Sequence, residues 1–123
     1  MILAFCVAGE NTDSPLDERF GRAAGFRIVD SEADGSGEYI VNSGANAPNS
    51  AGIGAVQLLA DKGVEGLVAP HLGPKAEDAR KRLSLRVWKQ AEQPSFQAAL
   101  EAWKKGELEE VTESSAPKGL YRA

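Results

Sequence analysis

Ile2-Leu3-Ala4-Phe5-Cys6-Val7-Ala8 is an unbroken apolar run that stops at Gly9-Glu10-Asn11. A strand buried on both faces reads this way, continuous rather than alternating. Such a strand belongs in the middle of a sheet, and the rest of the chain supplies its neighbours and its cover. Gly25 to Asp30 predicts a second strand and Glu38 to Asn42 a third. Asp34-Gly35-Ser36-Gly37 between them has strong turn chemistry, so these two strands form a hairpin. Asn49 or Ser50 is placed to cap a helix running to Lys62, with Ile53, Val56, Leu59 and Ala60 on its inner face and Gly63 past its end. Val64 to Ala69 predicts a fourth strand. Pro74 suits the first position of a helix reaching about Leu83, and Leu85 to Trp88 predicts a fifth strand. A last helix starts near Pro94, carries Phe96, Ala99, Leu100 and Trp103 at helical spacing, and stops at Gly106. Residues 112–123 are polar and aperiodic and read as a flexible tail, which leaves a single domain over residues 1–111.

The order β-β-β-α-β-α-β-α predicts an α/β fold. A strand–helix–strand unit forms a right-handed parallel crossover, so strands four and five run parallel. The simplest arrangement sets strand four beside strand one and the hairpin on strand one's other side. That is a five-stranded mixed sheet of order 3-2-1-4-5 with strand two antiparallel, in a three-layer α/β/α architecture.

Composition excludes several chemistries. The chain has 123 residues, with one cysteine (Cys6), one histidine (His71) and 13 glycines. A lone Cys forms no internal disulfide, and one Cys with one His builds no Cys/His zinc site. A Ser-His-Asp triad would have to pass through His71, and a Cys–His pair would have to be Cys6 with His71. Cys6 sits inside the first strand, so it reads as core, and enzymatic catalysis is not expected. Basic residues number 14 and acidic residues 18, for a net charge of −4. That balance argues against a nucleic-acid or membrane-surface partner, both of which favour a basic patch. The opening run has no basic residue before it and is far shorter than a membrane span, so no targeting segment is expected and a reducing cytoplasm fits the free Cys. There is no P-loop motif, and Gly52-Ile53-Gly54 lacks the third glycine of a dinucleotide fingerprint.

The topology predicts where a site lies. In open α/β sheets, ligands bind beyond the carboxyl ends of the strands where the strand order reverses, here between strands one and four. The loop over residues 9–22, the loop after strand three and the loop after strand four all reach that edge. Two helix N-termini point there as well, at Asn49-Ser50 and Gly73-Pro74, and helix N-termini attract anions. Arg19, Arg22 and Lys75 add positive charge. Asn11, Thr12, Ser14, Asn46 and Asn49 add neutral hydrogen bonds. His71 is the one conventional metal ligand at that edge. The arginines can instead pair with Asp17 and Glu18 on the surface. The residues alone therefore predict an anion-binding crevice. They leave open a phosphate- or nucleotide-binding module, or an interaction adaptor working with a partner ATPase.

Three segments carry a resemblance: Ser14-Pro15 followed by Phe20-Gly21-Arg22-Ala23; Ala51-Gly52-Ile53 with Gln57-Leu58-Leu59; and Gly73-Pro74 with Ala76. In order and spacing, over residues 1 to about 111, the chain resembles the dinitrogenase iron–molybdenum cofactor biosynthesis family, the NifX-like group. The resemblance implies a ribonuclease H-like fold and the binding or carriage of a metal–sulfur cluster. That cluster would be iron–molybdenum cofactor-like, or a molybdenum–copper sulfide held without covalent attachment, as in small stand-alone members of the orange-protein type. It adds Phe20, Gly21, Leu72, Gly73 and Pro74 to the expected cluster-binding set, and a partner ATPase or cluster-assembly protein as an expected partner. Where many members have His before the Phe-Gly, this chain has Arg19. Where many have Cys before the Gly-Pro, it has Leu72, with His71 one residue earlier. Those departures favour an anionic cluster held by hydrogen bonds, charge and shape.

Overall fold

The computed structural model describes residues 1–33, 35, 37–45 and 51–111. Strand β1 (Ile2–Val7) is buried without a break from Leu3 to Val7. Its two neighbours explain that burial. On one side it pairs antiparallel with β2 (Gly25–Asp30), from Ile2 opposite Asp30 to Val7 opposite Gly25. On the other it pairs parallel with β4 (Gly66–Ala69), Leu3 opposite Gly66 and Phe5 opposite Val68. The hairpin partner β3 (Glu38–Val41) closes one edge, and β5 (Arg86–Lys89) lies parallel to β4. The expected order 3-2-1-4-5 is present.

One strand is added to it. Glu110–Val111 forms β6, antiparallel to β5, so the sheet has six strands in the order β3-β2-β1-β4-β5-β6. Two residues are too few for any alternating pattern to appear in sequence. What fixes them is tertiary: the buried Arg80 guanidinium donates to the Val111 carbonyl at 3.2 Å, and Arg86 forms a two-pronged pair with Glu110 at 2.8 and 2.9 Å.

Helices α1 (Ala51–Asp61) and α2 (Pro74–Arg82) cover one face of the sheet. Alternate strand residues Ala4, Cys6, Phe26, Leu67 and Val87 pack beneath them. Helix α3 (Phe96–Lys104) covers the opposite face, on Leu3, Phe5, Val7, Val68 and Trp88. There Phe5 meets Phe96 edge-on at 5.2 Å and Trp88 meets Trp103 edge-on at 5.4 Å, arrangements that add to simple burial. The Ser95 hydroxyl caps α3 by accepting from the Ala98 amide. Ile53 departs from the expected inner face of α1. It lies roughly 200° round the helix axis from the buried Ala51 and is one of the exposed large hydrophobics. The expected cap at Asn49 or Ser50 and the tail 112–123 fall outside the described residues. No helix among the described residues is long and apolar enough to cross a membrane.

Candidate functional site

The long loop after β1 does not fan out as one wall. The Ala8 amide donates to the Pro15 carbonyl at 2.9 Å, Val7 bridges to Leu16, and the Asp17 amide donates to the Cys6 carbonyl at 3.0 Å. The chain thus returns against the end of β1 and is cut in two. Asn11, Thr12 and Ser14, on the tip, line a polar pocket with Gly9, Glu10, Arg27 and Tyr39. That pocket opens on the α3 side, because Arg27 lies over the Phe96 ring and Tyr39 packs with the α3 cluster. The other half of the loop runs to the α1 and α2 side.

Asp17 organises that second half. It is buried, and its carboxylate accepts from the Arg19 amide at 3.0 Å, the Arg19 Nε at 3.2 Å and the Ala24 amide at 3.3 Å. The Gln90 amide donates to the Asp17 carbonyl at 3.0 Å and so ties the turn to the end of β5. Arg19 is therefore matched by Asp17, within the loop itself. Asn42, just past β3, holds the next turn: its Nδ2 donates to the Gly21 carbonyl at 2.9 Å and the Ala23 carbonyl at 3.1 Å. Sequence reading singled out neither Asn42 nor Gln90. Each is a polar residue just beyond a strand end at the predicted site edge, which is the signal that would have found them.

Held this way, Phe20, Gly21 and Arg22 meet the first turn of α1 and the start of α2. Together with Ala51, Gly52, Ile53, His71, Gly73, Pro74, Lys75 and Ala76 they enclose a crevice of about 520 Å³. The contact needs glycine: a Cβ on Gly21 would stand 2.6 Å from the Gly52 amide nitrogen. Phe20 is buried against Phe26, with ring centroids 5.8 Å apart. Arg22 is exposed and donates to the Ala45 carbonyl at 2.8 Å. Gly73 is the N-cap of α2 and offers no side-chain cap, with Pro74 following it. Among the described residues no side chain caps the amides of that first turn, which suits them to an anionic acceptor.

A larger cavity of about 780 Å³ lies beside it at the ends of β4 and β5. His71 lines both and stands on the ridge between them. The two differ in charge. Glu18 and Glu92 line the larger one together with Glu77, which is ion-paired with the buried Arg80 at 2.7 Å, against Lys89, which is itself 3.5 Å from Glu109. The crevice has Arg22 and Lys75, and no Asp or Glu among its described lining residues. Leu72 lines the larger cavity and is buried in the core, so it stands apart from the crevice. Asn46 and Asn49 fall outside the described residues. Cys6 is fully buried; loss of solvent pushes its thiol pKa well up, and the Asp17 carboxylate pushes it further. Among the described residues, no group of three or more His, Cys, Asp and Glu is placed to hold a metal ion.

Against known proteins, residues 1–106 match the family described as dinitrogenase iron-molybdenum cofactor. An uncharacterised protein of Methanocaldococcus jannaschii is 31% identical over 96 residues, spanning 76% of this chain and 80% of its own. Among solved structures, the apo form of the orange protein from Desulfovibrio gigas is similar, with a TM-score of 0.84, 31% identity, and 90% of this chain and 92% of that one covered. A putative NifB protein from Thermotoga is similar with a TM-score of 0.78, 33% identity, and coverage of 91% and 94%.

Proposed function

The chain belongs to the dinitrogenase iron–molybdenum cofactor family, and on that premise we propose that it binds and carries an anionic metal–sulfur cluster, without covalent attachment, in the crevice between residues 20–22 and 73–76. The observation that carries this reading is electrostatic. In a chain of net charge −4, the crevice is cationic while the cavity next to it is acidic. A sulfide cluster concentrates negative charge on soft, weakly directional acceptors. Arg22, Lys75 and the uncapped first turn of α2 supply charge and N–H donors to such a surface. The volume falls in the range of small-ligand sites, roughly 300–1,000 Å³.

The donor set fits cargo held by charge better than cargo held by thiolates. Cys6 is sealed in the core and protonated, so it offers no sulfur ligand. His71 is exposed at the rim and supplies one nitrogen. Phe20 and Ile53 give apolar walls that shield the cluster from water, while the backbone at Gly21 permits close approach. In this reading the protein is a carrier rather than a catalyst. Of the family's cargoes, a molybdenum–copper sulfide fits best, since such a cluster needs no protein thiolate. The exposed rim at His71, Pro74 and Lys75 is where a cluster-assembly protein or partner ATPase would hand it over.

The test is anaerobic incubation with tetrathiomolybdate and Cu(I), then gel filtration with absorption spectra and metal analysis. A chromophore and both metals should co-elute with the protein. Arg22→Ala with Lys75→Ala should weaken retention by roughly tenfold or more, the scale of losing charge-assisted hydrogen bonds. Arg19→Ala should matter less, because Asp17 already occupies that side chain. Cys6→Ala should retain the cluster. Metal-free protein after gel filtration would sink the reading for this cluster. Loss in Cys6→Ala with retention in the double variant would replace charge by thiolate ligation.

A further inference from the structure

We propose that the polar pocket on the α3 side of the sheet is a second binding site, for a small oxyanion of the phosphate or sulfate class. The pocket has a volume of about 690 Å³ and is separated from the crevice by the sheet and by the fold-back of the loop at Leu16. Its base is Arg27. This residue sits in the middle of β2, opposite Phe5 on one side and Tyr39 on the other, and is only 6% exposed. It is a charged side chain held inside the lining of this pocket. Its Nη2 donates to the Glu10 carbonyl, and its Cζ lies 5.6 Å from the centre of the Phe96 ring. These contacts aim the group at the loop tip.

The other donors converge on the same place. Ser14 is packed so close that a Cβ on Gly9 would stand 2.9 Å from its hydroxyl oxygen, and a Cβ on Gly25 would collide with the Tyr39 hydroxyl. Two glycines thus make room for two hydroxyls whose side chains line the same pocket as Arg27. Thr12 adds a third hydroxyl and Asn11 an amide. A ligand that accepts hydrogen bonds from hydroxyls, an amide and a guanidinium together is a multi-oxygen anion. The one carboxylate on the lining, Glu10, is exposed, so water and salt screen it. The same chemistry serves a free oxyanion or the phosphate of a larger molecule. The site is independent of the crevice, and neither proposal stands or falls with the other.

The experiment is a two-dimensional amide NMR titration of the whole chain with inorganic phosphate, sulfate and glycerol phosphate, each against sodium chloride at matched ionic strength. Saturable shifts are expected at residues 9–14, 27 and 39, with an affinity separate from any response at residues 20–22 and 73–76. Tighter binding of inorganic phosphate assigns a free anion, and tighter binding of glycerol phosphate assigns a phosphate on a larger molecule; both support the site. Thr12→Ala with Ser14→Ala, and separately Tyr39→Phe, should weaken binding roughly fivefold, the scale of a neutral hydrogen bond, with the fold intact in the spectrum. Shifts that grow linearly and match chloride would overturn the proposal. So would affinity unchanged in both variants, or shifts confined to the crevice.

Discussion

The side chain of Cys6 points from β1 toward the layer of α1 and α2, and solvent does not reach it. Burial raises the thiol pKa and Asp17 raises it further, so the folded state disfavours the thiolate. The sign follows. A group whose pKa is raised on folding stabilises the fold fully below its unfolded value, about 8.5, and that stability is lost as pH rises toward the folded value. Two outcomes are expected. Native protein at pH 8 should react with a thiol reagent ~10³-fold or more slower than unfolded protein, because reaction waits on opening. Wild type should also lose stability relative to Cys6→Ala between pH 8 and 10. Labelling with 5,5′-dithiobis(2-nitrobenzoate) and urea melts at both pH values measure this. Fast native labelling would place a reactive thiol where the structure has a core residue.

At the scale of elements, β6 and the loop over residues 9–22 show what pattern can and cannot say. The apolar run of β1 reveals its central place directly, because continuous burial leaves a continuous trace. The hairpin and the parallel crossover from β4 to β5 follow from turn residues and handedness. A two-residue strand leaves no trace, since its place is set by Arg80 and Arg86 from other elements. The loop's two halves likewise look alike in sequence. Only the return of residues 15–17 along β1 sends Asn11, Thr12 and Ser14 to one face and residues 20–22 to the other. Ile53 was misplaced because an apolar residue at a site wall looks the same in sequence as one in the core. The attachment of β6 carries its own pH signature. Arg86 hydrogen-bonds the Glu110 carboxyl and holds it below the usual carboxylate range. Its stabilisation is therefore present above the unfolded value, about 4.3, and is lost as pH falls through the lower folded value. Both partners are partly exposed, with Arg86 at 53% and Glu110 at 28%, so the pair is worth only ~0.2–1 kcal/mol. Glu110→Gln should cost that much at pH 7 and less at pH 3, read from paired denaturant melts. An equal cost at both pH values would mean the contact is packing rather than charge.

For the whole molecule, the crevice is a junction of segments distant in sequence. Residues 20–22, the start of α1 and the start of α2 meet there, and Asn42 and Gln90 tie the loop that carries residues 20–22 to the ends of β3 and β5. Cargo that accepts from Arg22, Lys75 and the first turn of α2 therefore joins segments that otherwise open independently. Binding the folded state alone stabilises it by ~2.7 kcal/mol at a hundredfold excess over the dissociation constant, but the gain need not be spread evenly. Segments of low local stability gain protection first, because their opening is the one that breaks the bound state. Hydrogen exchange followed by mass spectrometry, with and without the copper–molybdenum sulfide, should show slowing concentrated at residues 20–24 and 74–78. The centres of β1 and β4, which exchange only by global opening, should slow by the global amount alone. The tip at residues 9–14 should be unaffected at short times, because it faces the other side of the sheet. Slowing centred on the tip would relocate the cargo to the Arg27 pocket. Uniform slowing throughout would mean that cargo shifts the global equilibrium without engaging the junction.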